Sequence, residues 1–306
     1  MARILAYTSP ARGHLFPLTP ILDDLNARGH QVALRTLESE VPLMESRGFD
    51  VAAIDSRVED IAMEDWHGGN SRKALELAMR TFCDRAKLDV TDLKLAIDQE
   101  RPDAVIVDIN CWGAMAAAEA SGVPFSTFCP YPMFLRSRDA PPFGPGFEPA
   151  TGPLGRLRDR VVGPLAFGML EKQMLPPLNE VRAGVGLAPF DSADDLFLSP
   201  PLTIYMTAEP FEYPRRDWPE SIVMVGPCEW EPSAKAPNWL EEIARPIVLV
   251  TTSSEFQDDG ELAAVALEAL ADEPVEVVVT LPAGNPEDFV PPANARVERF
   301  LPHGPI

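Results

Sequence analysis

The sequence predicts an α/β protein: a parallel, doubly wound sheet followed by a smaller unit of the same kind. Three observations carry this. Over the first 130 residues, short apolar runs alternate with segments of helical periodicity. Such alternation implies right-handed crossovers between parallel strands. A proline-containing stretch, Gly226 to Asn238, precedes a second alternating series. The length of 306 residues fits about two domains at roughly 150 residues each.

The elements follow in order. Ile4 to Tyr7 reads as a buried strand. Pro17 to Arg28 reads as a helix, with Pro in its first turn and Leu18, Ile21, Leu22 and Leu25 at helical spacing. Gly29 and His30 stop it, and Gln31 to Thr36 and Val51 to Ile54 are the next strands. Ser71 to Gln99 reads as one long helix or two. Ala104 to Val107 is a strand ended by Asp108. Ala114 to Ala120 is helical, Gly122 caps it, and Pro124 to Phe128 is a strand. Pro130 to Pro164, rich in Pro, Gly and aromatics, reads as a long binding loop. Leu165 to Val185 is helical, and Leu202 to Met206 and Ile222 to Val225 are short strands. In the second series, Ile247 to Thr251, Val275 to Thr280 and Ala295 to Arg299 are strands, with a helix from Gly260 to Ala271. Three strands and one helix leave apolar faces uncovered, so the second unit is expected to be incomplete. The expected division is 1–225, a linker at 226–240, and 241–306.

Composition narrows the function. With 26 Lys plus Arg against 47 Asp plus Glu, the net charge is -21, which argues against nucleic acid or an anionic membrane as main partner. No apolar run reaches a membrane-spanning length, and the start lacks a signal-peptide pattern, so a cytoplasmic location is expected. Cys83, Cys111, Cys129 and Cys228 are scattered, without zinc-like spacing. The histidines, His14, His30, His67 and His303, form no metal pattern, and neither GxGxxG nor GxxxxGK[ST] occurs.

Candidate chemistry lies beyond the carboxyl ends of the strands. His14 follows the first strand: it is a general base facing the crevice, or a surface-loop histidine. Asp108 ends another strand: it is the partner of His14, or the cap of the helix near Cys111. Thr251, Thr252, Ser253 and Ser254 follow the first strand of the second unit: they hold a phosphate, or form a polar turn. Asp258, Asp259 and Glu261 read as a charged helix start.

Taken together, these segments resemble the GT-B glycosyltransferases that use nucleotide sugars, the plant and bacterial natural-product family. The likeness is greatest to actinobacterial macrolide and antibiotic glycosyltransferases. Gly13-His14-Leu15-Phe16-Pro17 resembles the family's histidine segment, and Pro102 to Asp108 the strand that delivers its acidic partner. Gly122-Val123-Pro124 follows, and Val225-Gly226-Pro227 resembles the end of the N-terminal domain. Val250 to Phe256 resembles the donor loop, with Ser253 where glycine is usual. Phe300-Leu301-Pro302-His303 resembles the opening of the nucleotide-sugar signature, with Phe for Trp and His for Gln.

The resemblance implies two Rossmann-like domains and transfer with inversion from a UDP- or TDP-sugar to a hydroxyl of an apolar small molecule. It implies His14 as base, Asp108 as its charge partner, and no obligatory metal. Donor contacts would come from Ser253, Ser254, Phe300, which stacks on the base, and His303. Acceptor contacts are expected from Trp66, Trp112, Tyr131, Met133 and Phe134. A monomer or weak homodimer is expected. The signature's His-Gly-Gly segment and acidic-Gln pair do not occur in this sequence, so weak nucleotide-sugar binding is expected. The alternative reading is a non-catalytic chain that binds acceptor or assists a partner glycosyltransferase.

Overall fold

The computed structural model describes residues 1–232 and 235–306. Ser233 and Ala234, inside the expected linker 226–240, lie outside the described residues. The first elements are β1 (Arg3–Tyr7), α1 (Arg12–Ala27), β2 (Gln31–Thr36), α2 (Val41–Glu45), β3 (Asp50–Ala53) and α3 (Ser56–Glu59). Then come α4 (Ser71–Glu100), β4 (Ala104–Asp108), α5 (Trp112–Ser121), β5 (Phe125–Cys129), α6 (Pro153–Gly184) and α7 (Asp195–Leu198). The chain continues through β6 (Thr203–Tyr205), β7 (Ile222–Met224), β8 (Ile247–Thr251), α8 (Gly260–Ala269), β9 (Glu276–Thr280) and β10 (Ala295–Glu298).

The first seven strands form one parallel sheet in the order β3-β2-β1-β4-β5-β6-β7. The order reverses between β1 and β4, which is where an open α/β sheet leaves a ligand crevice. Tyr7 pairs with Val107, so the loop after β1 and the end of β4 emerge side by side. The last three strands form a separate parallel sheet, β10-β9-β8.

Strand periodicity divides the core. Leu5, Tyr7, Val105 and Val107 pack on the face covered by α4, α5 and α6, whereas Ile4, Ala6 and Ile106 pack with α1. Leu15, Leu18 and Leu22 of α1 are fully buried. Each such burial contributes about 1.5–3 kcal/mol. Helices α4 and α5 meet at Gly113, where a Cβ would stand 1.9 Å from the Ala86 carbonyl oxygen. Gly122, at φ +71°, caps α5 in the left-handed conformation that glycine adopts freely. In the smaller unit, Ala263 and Leu267 of α8 pack on Val277, Val279 and Leu281, while Ile247 to Val250 of β8 are only half-buried.

Two boundaries differ from the sequence reading. Helix α1 begins at Arg12 and holds Pro17 and Pro20 inside it, so His14 sits in the first helical turn instead of the preceding loop. The Pro130–Pro164 loop ends at Gly152, because Pro153 starts α6 and Pro164 lies within it. The fixed φ of Pro153 suits a first turn, and Phe167, Leu170, Met174 and Leu178 are buried along one face of α6. Among the described residues, no helix is long and apolar enough to cross a membrane.

Candidate active site

The crevice between β1 and β4 is built around a buried carboxylate. Asp108 at the end of β4 is fully buried. Its Oδ2 accepts from Ser9 Oγ at 2.8 Å and Ser9 N at 3.2 Å, and its Oδ1 accepts from Asn110 N at 2.9 Å. The first turn of α1 then places His14 Nδ1 2.9 Å from Oδ1. Burial drives the Asp108 carboxyl upward, but the charge and hydrogen bond of His14, with Asn110 N–H and the Ser9 hydroxyl, outweigh it and hold it below its ordinary range. For His14, burial works against the charged form, and the Asp108 charge and hydrogen bond overcome it, raising its affinity for the proton.

With Asp108 accepting at Nδ1, neutral His14 carries its lone pair on Nε2. The imidazole keeps 15 % of its side-chain surface exposed. There Asn110 Nδ2 stands 3.2 Å from Nε2, and Asn110 Oδ1 accepts from the Tyr131 hydroxyl at 2.9 Å. Tyr131 and Asn110 also line a cavity of about 640 Å³ whose remaining walls are mainly apolar: Leu75, Met79, Phe82, Phe134, Phe143, Phe167 and Leu170 among them. An apolar room with a few convergent polar groups at one end suits an apolar molecule bearing one reactive hydroxyl.

Charges from other elements face the dyad. Arg85 of α4 is buried, and its Nε and Nη2 donate to the Ile61 carbonyl at 3.0 and 2.6 Å. Burial pushes its guanidinium pKa down, against Glu255, Cys111, Asp89 and Asp108. Glu255, after β8, has its carboxyl pushed up by burial and drawn back down by Arg85 and His14. The loop after β8 therefore reaches the first sheet: Ser254 Oγ lies 3.7 Å from the position of a Cβ on Gly13.

The sequence comparison decides the family. The chain is 31% identical over 316 residues to 4'-demethylrebeccamycin synthase of Lentzea aerocolonigenes, covering 99% of this chain and 75% of that enzyme. The chain belongs to the natural-product glycosyltransferases. No family model matches the sequence. Demethyllactenocin mycarosyltransferase of Streptomyces fradiae is 25% identical over 323 residues, 100% of this glycosyltransferase and 65% of that enzyme. Among solved structures, the kitacinnamycin glycosyltransferase superposes with a TM-score of 0.66 at 18% identity, over 98% of this chain and 71% of its own. These likenesses show the fold as GT-B.

Within this glycosyltransferase the expected site residues separate. His14, Asp108, Tyr131 and Phe134 converge on the crevice and its apolar cavity. Trp112, on α5, is buried, 2 % exposed, with its ring packed 5.2 Å from Phe82, and Phe82 is the one of the two that lines the cavity. Met133 turns to the other side of its segment and lines a separate cavity of about 460 Å³ beside Glu212 and Arg215. Trp66 stacks on His67 and meets Phe256 edge-on at 5.1 Å, so it touches the loop after β8 and lines neither cavity.

On the donor side, Ser253 N donates to Asp259 Oδ2 at 2.7 Å and Ser253 Oγ accepts from Glu255 N at 3.2 Å. Thr280 Oγ1 donates to Thr251 Oγ1 at 3.1 Å and lies 3.3 Å from His303 Nε2. The Phe300 ring is half-exposed. Asn110, Ser9, Arg85 and Glu255 escaped the sequence reading. The available signal was Asn110, two residues after Asp108 at a strand end.

Proposed function

We propose that this glycosyltransferase moves a sugar, with inversion, from a UDP- or TDP-sugar to a hydroxyl of an apolar natural product. The observation that carries the reading is the apolar cavity of about 640 Å³ that ends at Asn110, within 3.2 Å of His14 Nε2. In this reading an acceptor hydroxyl approaches Nε2 from the polar end of an otherwise mainly apolar cavity.

In this reading the acceptor O–H donates to Nε2. As the oxygen attacks the anomeric carbon, His14 takes the proton and the bond from that carbon to the diphosphate oxygen breaks. The electron pair leaves with the nucleoside diphosphate. Asp108 balances the imidazolium that forms, and its hydrogen bond fixes the ring in the reactive tautomer. The Ser253 and Ser254 hydroxyls, with His303, would receive the diphosphate, and Phe300 would stack on the nucleobase. A metal is not required, because a hydroxyl-lined loop at a helix start stabilises a leaving phosphate by hydrogen bonds. The Streptomyces sp. SF2575 glycosyltransferase, solved with thymidine diphosphate, shares this fold at a TM-score of 0.63 over 74% of its chain, which supports the donor class.

The test combines calorimetry and transfer assays with a panel of polycyclic and macrocyclic phenols and alcohols against UDP- and TDP-sugars. Transfer with inverted configuration at the new glycosidic bond supports the reading. Acceptor binding with no transfer from any donor supports the binding-only alternative.

A further inference from the structure

The base has a neighbour that its pairing with Asp108 does not explain. Asp108 at Nδ1 favours a protonated ring, and a protonated ring has no lone pair to receive an acceptor proton. On the other nitrogen, the atom facing Nε2 is the amide nitrogen of Asn110, a donor, at 3.2 Å. A donor aimed at Nε2 is compatible only with an unprotonated nitrogen.

Tyr131 favours the end of the amide that faces His14. The Tyr131 hydroxyl donates to Asn110 Oδ1 at 2.9 Å. Burial pushes the Tyr131 phenol pKa well up, so it stays a donor. Turning the amide over to serve a protonated Nε2 would take from the phenol proton the acceptor it has now. Asn110 is further held at its backbone, where its N–H donates to Asp108 Oδ1 at 2.9 Å.

We propose that Tyr131 and Asn110 act as a positioning relay, Tyr131 O–H to Asn110 Oδ1 and Asn110 N–H to His14 Nε2, that keeps the base neutral and ready against the pull of Asp108. An acceptor hydroxyl entering from the apolar cavity replaces the amide N–H at Nε2, and Tyr131, which lines that cavity, couples acceptor entry to release of the amide. The inference rests on His14 being the base, and it adds how that base is kept unprotonated. The other charged groups facing His14 are Asp108 from β4, Glu255 from the loop after β8 and Arg85 from α4; the first two favour the proton and Arg85 opposes it.

The test is an NMR titration of the His14 imidazole in the full chain, with its signal assigned by comparison with His14→Gln. Removal of one neutral hydrogen bond changes an equilibrium by about threefold to tenfold. The proton-binding constant of His14 is therefore expected to rise by that factor in Asn110→Ala, and by more in Asn110→Asp, which keeps the shape and offers an acceptor to Nε2–H. In Tyr131→Phe it should rise to a value between wild type and Asn110→Asp, because the amide is free to turn. An unchanged or lower His14 proton affinity in Asn110→Ala would overturn the relay, as would a Tyr131→Phe titration identical to wild type. The titration needs no turnover. Full activity of His14→Ala would remove the base assignment while leaving the measured hydrogen bonding intact.

Discussion

Gly13 and Ser254 meet across the two units: a Cβ on Gly13 would sit 3.7 Å from Ser254 Oγ. That distance is ordinary contact, so Gly13→Ala should leave the fold intact and stabilise α1 by about 0.5–1 kcal/mol, the usual helix advantage of alanine. Gly13→Val fills the gap between the base-bearing turn and the loop after β8. It should lower transfer while thermal unfolding stays near that of wild type. Equal transfer by both variants would show that this approach has no part in the reaction.

Asp108→Asn separates charge from shape. The carboxylate raises the proton affinity of His14, so its loss should move the acid limb of the pH–rate profile to lower pH. The plateau should fall by about 10²–10⁴, because the imidazolium loses its counter-charge. Stability changes in the opposite pH sense. The Asp108 pKa is lowered in the fold, so its contribution is present above the unfolded carboxyl pKa and is lost as pH falls through the folded one. Asp108→Asn should therefore narrow the stability difference between neutral and acid pH. An acid limb that stays in place would count against the dyad.

Leu75→Trp adds bulk to the wall of the apolar cavity. Acceptor affinity should drop by about tenfold or more, the scale on which apolar pockets discriminate size. Nucleotide binding should not change, since the cavity lies away from the loop after β8. Calorimetry with acceptor and nucleotide separately reads both, and a matched loss of the two would point to general disruption.

Gly113→Ala tests the close approach of α4 and α5. The new methyl would meet Ala86 O at 1.9 Å and Asp89 Oδ1 at 2.1 Å, both inside the core. Destabilisation of about 1–3 kcal/mol or more is expected in urea unfolding. A variant as stable as wild type would mean that the helix pair slides apart freely.

The strands were legible because each is a short, mainly apolar run; Asp108 was legible at the end of one of them, and His14 in the segment that follows the first. The start of α6 was not. Gly155, Gly163 and Pro164 have poor helix propensity, and the segment is helical because Phe167, Leu170 and Met174 bury on the core beyond it. The turn of α5 carries the Trp112 ring inward against Phe82, a direction that its place in the sequence does not give. Asn110 was hidden because one polar residue after a strand has many uses, and only the Tyr131 hydroxyl, 21 residues further on, gives its amide a direction. Arg85 and Glu255 act on the charge of His14 from two distant parts of the chain, a relationship with no local periodicity.

The central claim is that His14 takes the acceptor proton. The most direct measurement is the turnover of His14→Ala against wild type under saturating acceptor and nucleotide sugar, with acceptor affinity measured in parallel. Turnover should fall by about two to four orders of magnitude, the span of a positioned base, with acceptor affinity nearly unchanged. Wild-type turnover in His14→Ala would contradict the account.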